Sequence, residues 1–460
     1  MPLSFADSTK NSISLYLLDE DAAADWIKNQ TEDMQNWANT NGFTGSLGQT
    51  LICPGSHGIS MAAIGYGNAI SRKRGRFHLA AGAVSLPKGI YSLNHTLDPE
   101  RLAVESIGWL LASYRFDRYK KQKPMPAKLI RPIGVDSELI EAIANGEALT
   151  RNLINTPASD MSPTDLEAAT RDMAKNYDAS INVITGGALL EQNFPMIHTV
   201  GRASDSAPRL IDLKWGKTGP KLTLIGKGVC FDTGGLNLKP GTSMGLMKKD
   251  MGGAAAVLGL AYMIMATDMP IQLRVLIPAV ENSVSNNAFR PQDILTSRKG
   301  LTVEVNNTDA EGRLILADTI TLADEDDPDL IISMATLTGA ARVAVGPDIA
   351  PYFTDDADLS EALYQASQSC ADPVWRLPFH TPYETMIEPN IADLDNAPKG
   401  GFAGTITAAL FLRRFVTNTQ RYMHFDIYGW QPSDAPARKK GGVGQGTRAI
   451  LAALPKVLKL

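Results

Sequence analysis

Cysteine is scarce: Cys53, Cys230 and Cys370 are the only three in 460 residues, far apart and with no C-x-x-C pair. That excludes a disulfide scaffold and fits a reducing compartment. Histidine is scarce too. The six histidines (His57, His78, His95, His198, His380 and His424) form neither an HExxH nor an i, i+4 pair, which disfavours a histidine-held zinc site of the metalloprotease type. No run of about 18 uncharged apolar residues occurs. The opening Met-Pro-Leu-Ser-Phe-Ala-Asp has no basic start leading into an apolar stretch. Neither membrane insertion nor export is expected, and the expected location is cytoplasmic. Positive charge is not in excess: 44 Lys and Arg stand against 49 Asp and Glu, a formal net charge of −5. Without a global basic field, nucleic acid and anionic lipid are not expected partners, and small molecules or peptides become the default. The absence of internal repeats removes solenoids and propellers.

What is present is an ordinary globular composition, 44% apolar and 20% charged. The length exceeds what one core usually carries, so two domains are expected. Residues 1–117 mix short apolar runs, such as 49–53 and 59–64, with glycine turns and close on a helix from Glu100. The basic segment Arg118–Pro132, broken by three prolines, reads as a solvated linker. The expected division is a smaller N-terminal α/β domain, 1–125, and a larger catalytic α/β domain, 126–460. In the latter, helical stretches at 139–154 and 164–174 alternate with strands at 180–184, 221–225, 273–277 and 330–334. That pattern predicts a central mixed sheet flanked by helices.

Two segments carry chemistry. In Gly226-Lys-Gly-Val-Cys-Phe-Asp-Thr-Gly-Gly-Leu-Asn-Leu-Lys-Pro240, the charged Lys227 and Asp232 follow a strand and sit among apolar residues and glycines. Lys239 is held in a loop before Pro240, and Asp250 precedes a long apolar helix. In the second segment, Thr302 to Leu314, an extended chain persisting past Val305 would point Asp309 and Glu311 to one side. A helix is expected from near Gly312.

Asp232, Asp250, Asp309 and Glu311 thus fall at strand ends and helix starts of an open α/β sheet, where such folds place their sites. Gathered in a cleft, four carboxylates repel strongly unless divalent cations neutralise them. Two such ions can polarise a carbonyl and acidify a bridging water. Lys227 then suits a neutral amine ligand, Lys239 an electrophile and Arg313 an anion holder. Taken singly, Asp250 reads equally as a helix cap, Glu311 as a first-turn acid and Arg313 as a surface ion-pair partner. The occurrence of Lys227, Asp232, Lys239 and Asp250 together within 24 residues of largely glycine and apolar sequence argues against coincidence. Cys230 reads as a packed small side chain and His424 as a structural strand residue.

Asn307-Thr-Asp-Ala-Glu-Gly-Arg-Leu314 resembles the signature octapeptide of the leucyl aminopeptidase family, the cytosol aminopeptidases, without a change. Gly226–Pro240, Asp250–Ala255 and Met334-Ala-Thr-Leu-Thr-Gly-Ala340 are similar to the family's other motifs in the same order, and Asn155-Thr-Pro-Ala opens the likeness. The resemblance implies that Asp232 and Glu311 bridge two metals, Zn²⁺ or Mn²⁺. Lys227 and Asp250 complete one shell and Asp309 the other. It further implies that Lys239 stabilises the oxyanion, that Arg313 anchors a bicarbonate base, and that Met247, Asn307, Thr336, Leu337 and Gly339 shape the pocket for the substrate's N-terminus. A homohexamer is implied, with an oligomerisation or regulatory role for the N-terminal domain. The expected activity is removal of N-terminal residues from peptides. The rival readings are two-metal phosphoester hydrolysis and a non-catalytic, DNA-binding or structural oligomer.

Overall fold

The computed structural model describes residues 2–56 and 58–460; His57 lies outside the described residues. The chain forms two compact units. One holds the residues up to Ala148 with Ser369–Ala371 and Ser433–Lys440, and the other holds Leu149–Gln368, Asp372–Pro432 and Gly441–Leu460.

Among the described residues, the first unit carries a five-stranded sheet. Its strands are β1 (Ile13–Asp19), β2 (Thr50–Gly55), β3 (Gly58–Gly67), β4 (Gly89–Asn94) and β5 (Ala127–Leu129), in the order β2-β3-β1-β4-β5. β2 and β3 pair antiparallel, while β1 pairs in parallel with β3 and β4. Leu18, Leu51 and Ala63 bury one face under the helices Glu20–Lys28 and Glu32–Thr40, which contribute Ala23 and Ala38. The expected division between residues 125 and 126 falls just ahead of β5, which pairs in parallel with β4. The basic segment is therefore a connector only up to β5; alternating burial of Ala127 and Leu129 makes the rest an edge strand.

The second unit is built on a nine-stranded mixed sheet among the described residues. It uses β6 (Ser180–Thr185), β7 (Arg209–Trp215), β8 (Lys221–Gly226), β9 (Gly228–Asp232), β10 (Gln272–Asn282), β13 (Leu330–Ala335), β14 (Ala350–Phe353), β15 (Val374–Arg376) and β17 (Tyr422–Asp426). β11 (Ile294–Thr296), β12 (Thr302–Glu304) and β16 (Leu394–Asp395) form a separate small sheet. The central order is β17-β13-β8-β10, all parallel, and β9 pairs with the distal part of β10. Parallel strands covered on both faces read as unbroken apolar runs, and all six residues of β13 are buried.

The helix Gly252–Ala266 is apolar around its whole circumference and almost entirely buried. It reaches the sheet closely because position 253 is glycine: a Cβ there would lie 2.1 Å from Met334 O. The helix Gly312–Glu325 is buried along most of its length and adds Leu314, Leu316 and Ile320 to the core. Each helix starts within two residues of an acidic side chain, Asp250 or Glu311, near the carboxyl ends of β8, β9 and β13.

Candidate metal and substrate site

β8 delivers Lys227 to the floor of the site. Its backbone N–H donates to Met334 O (3.0 Å) and its carbonyl accepts from Ala254 N (2.9 Å), so sheet and helix fix the residue from both sides. Lys227 Nζ donates to Thr336 O (3.1 Å) and lies 2.7 Å from Asp250 Oδ2 and 3.0 Å from Glu311 Oε1. β9 ends on Asp232, whose Oδ1 accepts from Gly234 N (2.8 Å) and Asn282 Nδ2 (2.9 Å). Its Oδ2 lies 2.8 Å from Lys239 Nζ, which also contacts Asp309 Oδ1.

Asp309 and Glu311 converge by a route other than strand alternation. β12 stops at Glu304, and Asn307 then makes a turn: its Oδ1 accepts from Asp309 N (2.8 Å) and its carbonyl from Ala310 N (3.1 Å). Glu311 is already in a helical conformation. Asn396 braces the turn, accepting from Asn306 N and Asn307 N and donating to Asn307 O (2.7 Å).

One oxygen from each of Asp232, Asp309 and Glu311 lies within 4.8 Å of the others. Crowding shows in the protonation behaviour. Burial, then the Asp232 charge, pushes Glu311 up to about 8 and Asp309 up to about 6. Burial also raises Asp250, but Lys227 and Lys249 outweigh it and hold that carboxyl below its ordinary value. Burial works against the charge of Lys227, and Asp250 and Glu311 overcome it, so the ammonium is held well above its usual range. Asp250 Oδ2, Asp309 Oδ1 and Glu311 Oε1 touch lysines yet receive no well-aligned hydrogen bond. Within ion-pair reach, four carboxylates face two ammonium groups. Such a set, carboxylate oxygens and an amine without imidazole or thiolate, fits divalent cations of hard or borderline character. Cys230 is fully buried and directed at Gly228 O (3.7 Å), and His424 bonds Ser333 inside the sheet.

A cleft of about 260 Å³ opens above this cluster. Lys227, Asp232, Lys239, Asp250, Asp309 and Arg313 line it, as do Met247, Asn307, Thr336, Leu337 and Gly339; Glu311, 1% exposed, lies beneath. The structure thus brings together the residues that the sequence offered as metal, catalytic or substrate-pocket candidates. Arg313 is buried, its Nε bonds nothing, and burial lowers it to about 10 against the pull of Glu311 and Asp426.

Other residues of the site carried no sequence signal. Asn282 is fully buried and bridges Asp232 Oδ1 to Thr308 O (3.0 Å). Its partnership follows from the pairing of Asn282 with Asp232 between β10 and β9, 50 residues apart in the chain. Asp426, at the end of β17, accepts from Leu337 N, Thr338 N, Thr338 Oγ1 (2.6 Å) and Thr405 Oγ1 (2.8 Å), and so holds the loop after β13. Lys249, Arg342 and Tyr428 complete one wall of the cleft.

The comparisons with known proteins agree with this geometry. The model of the cytosol aminopeptidase family, catalytic domain, matches residues 148–451, and that of the M17 aminopeptidase, N-terminal domain, matches residues 13–132. The cytosol aminopeptidase of Encephalitozoon cuniculi is 34% identical over 452 residues, covering 96% of this chain and 92% of that protein. A probable cytosol aminopeptidase of Roseiflexus castenholzii is 40% identical over 376 residues, 77% of each. The crystal structure of a cytosol aminopeptidase from Coxiella burnetii matches with a TM-score of 0.93 at 41% identity, over 98% of both chains. The bottromycin maturation enzyme BotP, solved in complex with Mn, matches with a TM-score of 0.86 at 28% identity, over 97% of this chain and 99% of that one. With its catalytic and N-terminal domains both accounted for, this chain belongs to the cytosol aminopeptidase family.

Proposed function

We propose that this protein is a metal-dependent aminopeptidase of the leucyl type that hydrolyses the first peptide bond of substrates with a free N-terminus. The observation that carries the reading is the convergence of Asp232, Asp309 and Glu311, whose oxygens lie within 4.8 Å of one another. Lys227 and Asp250 would complete one of two divalent-cation sites, taking Zn²⁺ or Mn²⁺, and Asp309 the other, with Asp232 and Glu311 shared between them. Bound there, the cations supply Lewis acidity and a water acidic enough to ionise near neutrality.

The remaining work belongs to the chain. Met247, Asn307, Thr336, Leu337 and Gly339 receive the first residue, and capture of its free α-amine at the cation site would limit cutting to chain termini. Lys239, raised above its ordinary range by Asp232 in spite of burial, keeps its proton and offers an N–H to the carbonyl oxygen as it becomes an oxyanion. Arg313, cationic at neutral pH and unpaired at Nε, would hold a bicarbonate that accepts the proton of the attacking water. The proposal includes a cytoplasmic homohexamer assembled with help from the N-terminal unit.

The deciding experiment is Glu311→Ala, assayed on leucyl coumarinamide with metal content measured in parallel. Loss of turnover together with fewer than two ions per chain is expected. Unchanged turnover refutes the assignment.

A further inference from the structure

Three residues of the cleft have no part in the proposed hydrolysis. Lys249 is only 4% exposed, yet among the described residues its ammonium makes no hydrogen bond and has no carboxylate within ion-pair distance. Its Nζ lies 5.2 Å from the centroid of the Tyr428 ring, and the guanidinium carbon of Arg342 lies 5.5 Å from the same centroid. All three side chains line the cleft.

Their place within it is specific. The Arg342 guanidinium stands beside Gly339, with Nη1 and Nη2 each 3.6 Å from where a Cβ would be. Gly429, next to Tyr428, packs on Thr336, whose Cγ2 would be 3.3 Å from a Cβ at that position. The two cations therefore sit at the end of the cleft that receives the substrate's first residue.

Asp250 and Asp426 attract Lys249 through space, but both are already engaged by closer partners. Asp250 Oδ1 accepts from Thr336 Oγ1 (2.8 Å), and Oδ2 is taken by Lys227. Asp426 is saturated by Leu337, Thr338 and Thr405. A buried ammonium with no carboxylate in direct contact remains poorly solvated, and a carboxylate arriving through the cleft relieves that cost where a neutral amide cannot. A charged pair held against an aromatic ring also keeps a fixed geometry.

We propose that Lys249 and Arg342, set against Tyr428, form a carboxylate-binding subsite that selects peptides whose first residue is acidic. The inference rests on the aminopeptidase reading and names its substrate class. A carboxylate can reach the subsite from the side chain of the first residue or from the C-terminus of a dipeptide, and the placement beside Thr336 and Gly339 favours the side chain.

The test uses the full-length protein loaded with Mn²⁺. It compares kcat/KM for glutamyl, glutaminyl and leucyl coumarinamides, and for Leu-Gly and Leu-Gly-amide, in the wild type, Lys249→Met, Lys249→Arg and Arg342→Gln. The wild type is expected to favour the glutamyl over the glutaminyl substrate by about tenfold or more, since a single charged contact is worth that much. Lys249→Met and Arg342→Gln are expected to bring the ratio toward one, and Lys249→Arg to restore part of it. A preference for Leu-Gly over Leu-Gly-amide that disappears in the same variants assigns the carboxylate to the substrate's C-terminus and keeps the subsite. Ratios near one in the wild type, or ratios that the variants leave unchanged, overturn the subsite while leucyl turnover leaves the aminopeptidase reading standing. No turnover of any substrate by the wild type overturns both. Should Lys249→Met fail to fold, the exposed Arg342→Gln decides alone.

Discussion

The side chain of Lys227 lies directly across the backbone of Gly312. A Cβ at position 312 would be 2.6 Å from Lys227 Cε and 2.8 Å from Nζ. The glycine that follows Glu311 in the octapeptide therefore makes room, at a helix start, for the lysine that follows β8. Lys227 has nowhere to retreat, since Thr336 O, Asp250 and Glu311 already hold its ammonium. Gly312→Ala should displace it, weaken metal binding by at least about tenfold and cost about 1–3 kcal/mol of stability through overpacking. Metal titration and denaturant unfolding check both, and a variant that binds metal like the wild type contradicts the arrangement.

Lys239→Ala removes the group assigned to the oxyanion while leaving Lys227 and the four carboxylates in place. We expect kcat to fall by about 10²-fold or more with metal content retained. A wild-type kcat would show that the lysine serves only to balance Asp232 and Asp309.

Asn282 acts through Asp232, by holding the rotamer that directs the carboxylate inward. Loss of such a supporting hydrogen bond commonly weakens metal affinity by about 10- to 100-fold. Asn282→Ala should show that loss in a chelator-competition titration, with activity recovering at high metal concentration. Activity that stays low at saturating metal would point to a role beyond positioning.

His424 is fully buried, and burial, then the charge of Arg313, lowers it to about 3 despite its contact with Ser333 Oγ (2.8 Å). Its folded value is below the ordinary 6.5, so the unfolded chain takes up a proton that the folded one refuses. Stability from this group is whole above about pH 6.5 and lost as pH falls toward 3, at up to about 1.4 kcal/mol per pH unit. Urea unfolding at pH 7.5 and pH 5 should show a smaller acid loss in His424→Gln than in the wild type. Equal losses would mean that the histidine is protonated in the folded state.

Much of the architecture is legible locally. Capping residues and apolar periodicity place the helices Pro99–Ser113, Ser137–Asn155 and Pro163–Lys175 within a few residues of expectation, and β-branched runs place β6, β8 and β13. Local reading fails where pairing or a turn decides. β5 hides in a basic, proline-rich stretch because its strand character depends on β4. The expected extension past Val305 yields to the turn at Asn307, since a side-chain amide competes with the strand ladder for backbone hydrogen bonds.

The sequence by itself determined which chemical groups this protein could bring to a site. Charged residues set among glycines and apolar neighbours in Gly226–Pro240 and Asn307–Leu314 belong neither to a polar surface nor to an apolar core, so they must meet compensating charge. Only the tertiary structure decided which group faces which. Asn282 reaches Asp232 through strand register, Lys227 passes Gly312 because a helix start lies against a strand end, and Lys249 meets Arg342 at Tyr428 although the three are far apart in the chain. Those relationships arise from long-range packing, which no local pattern of residues encodes.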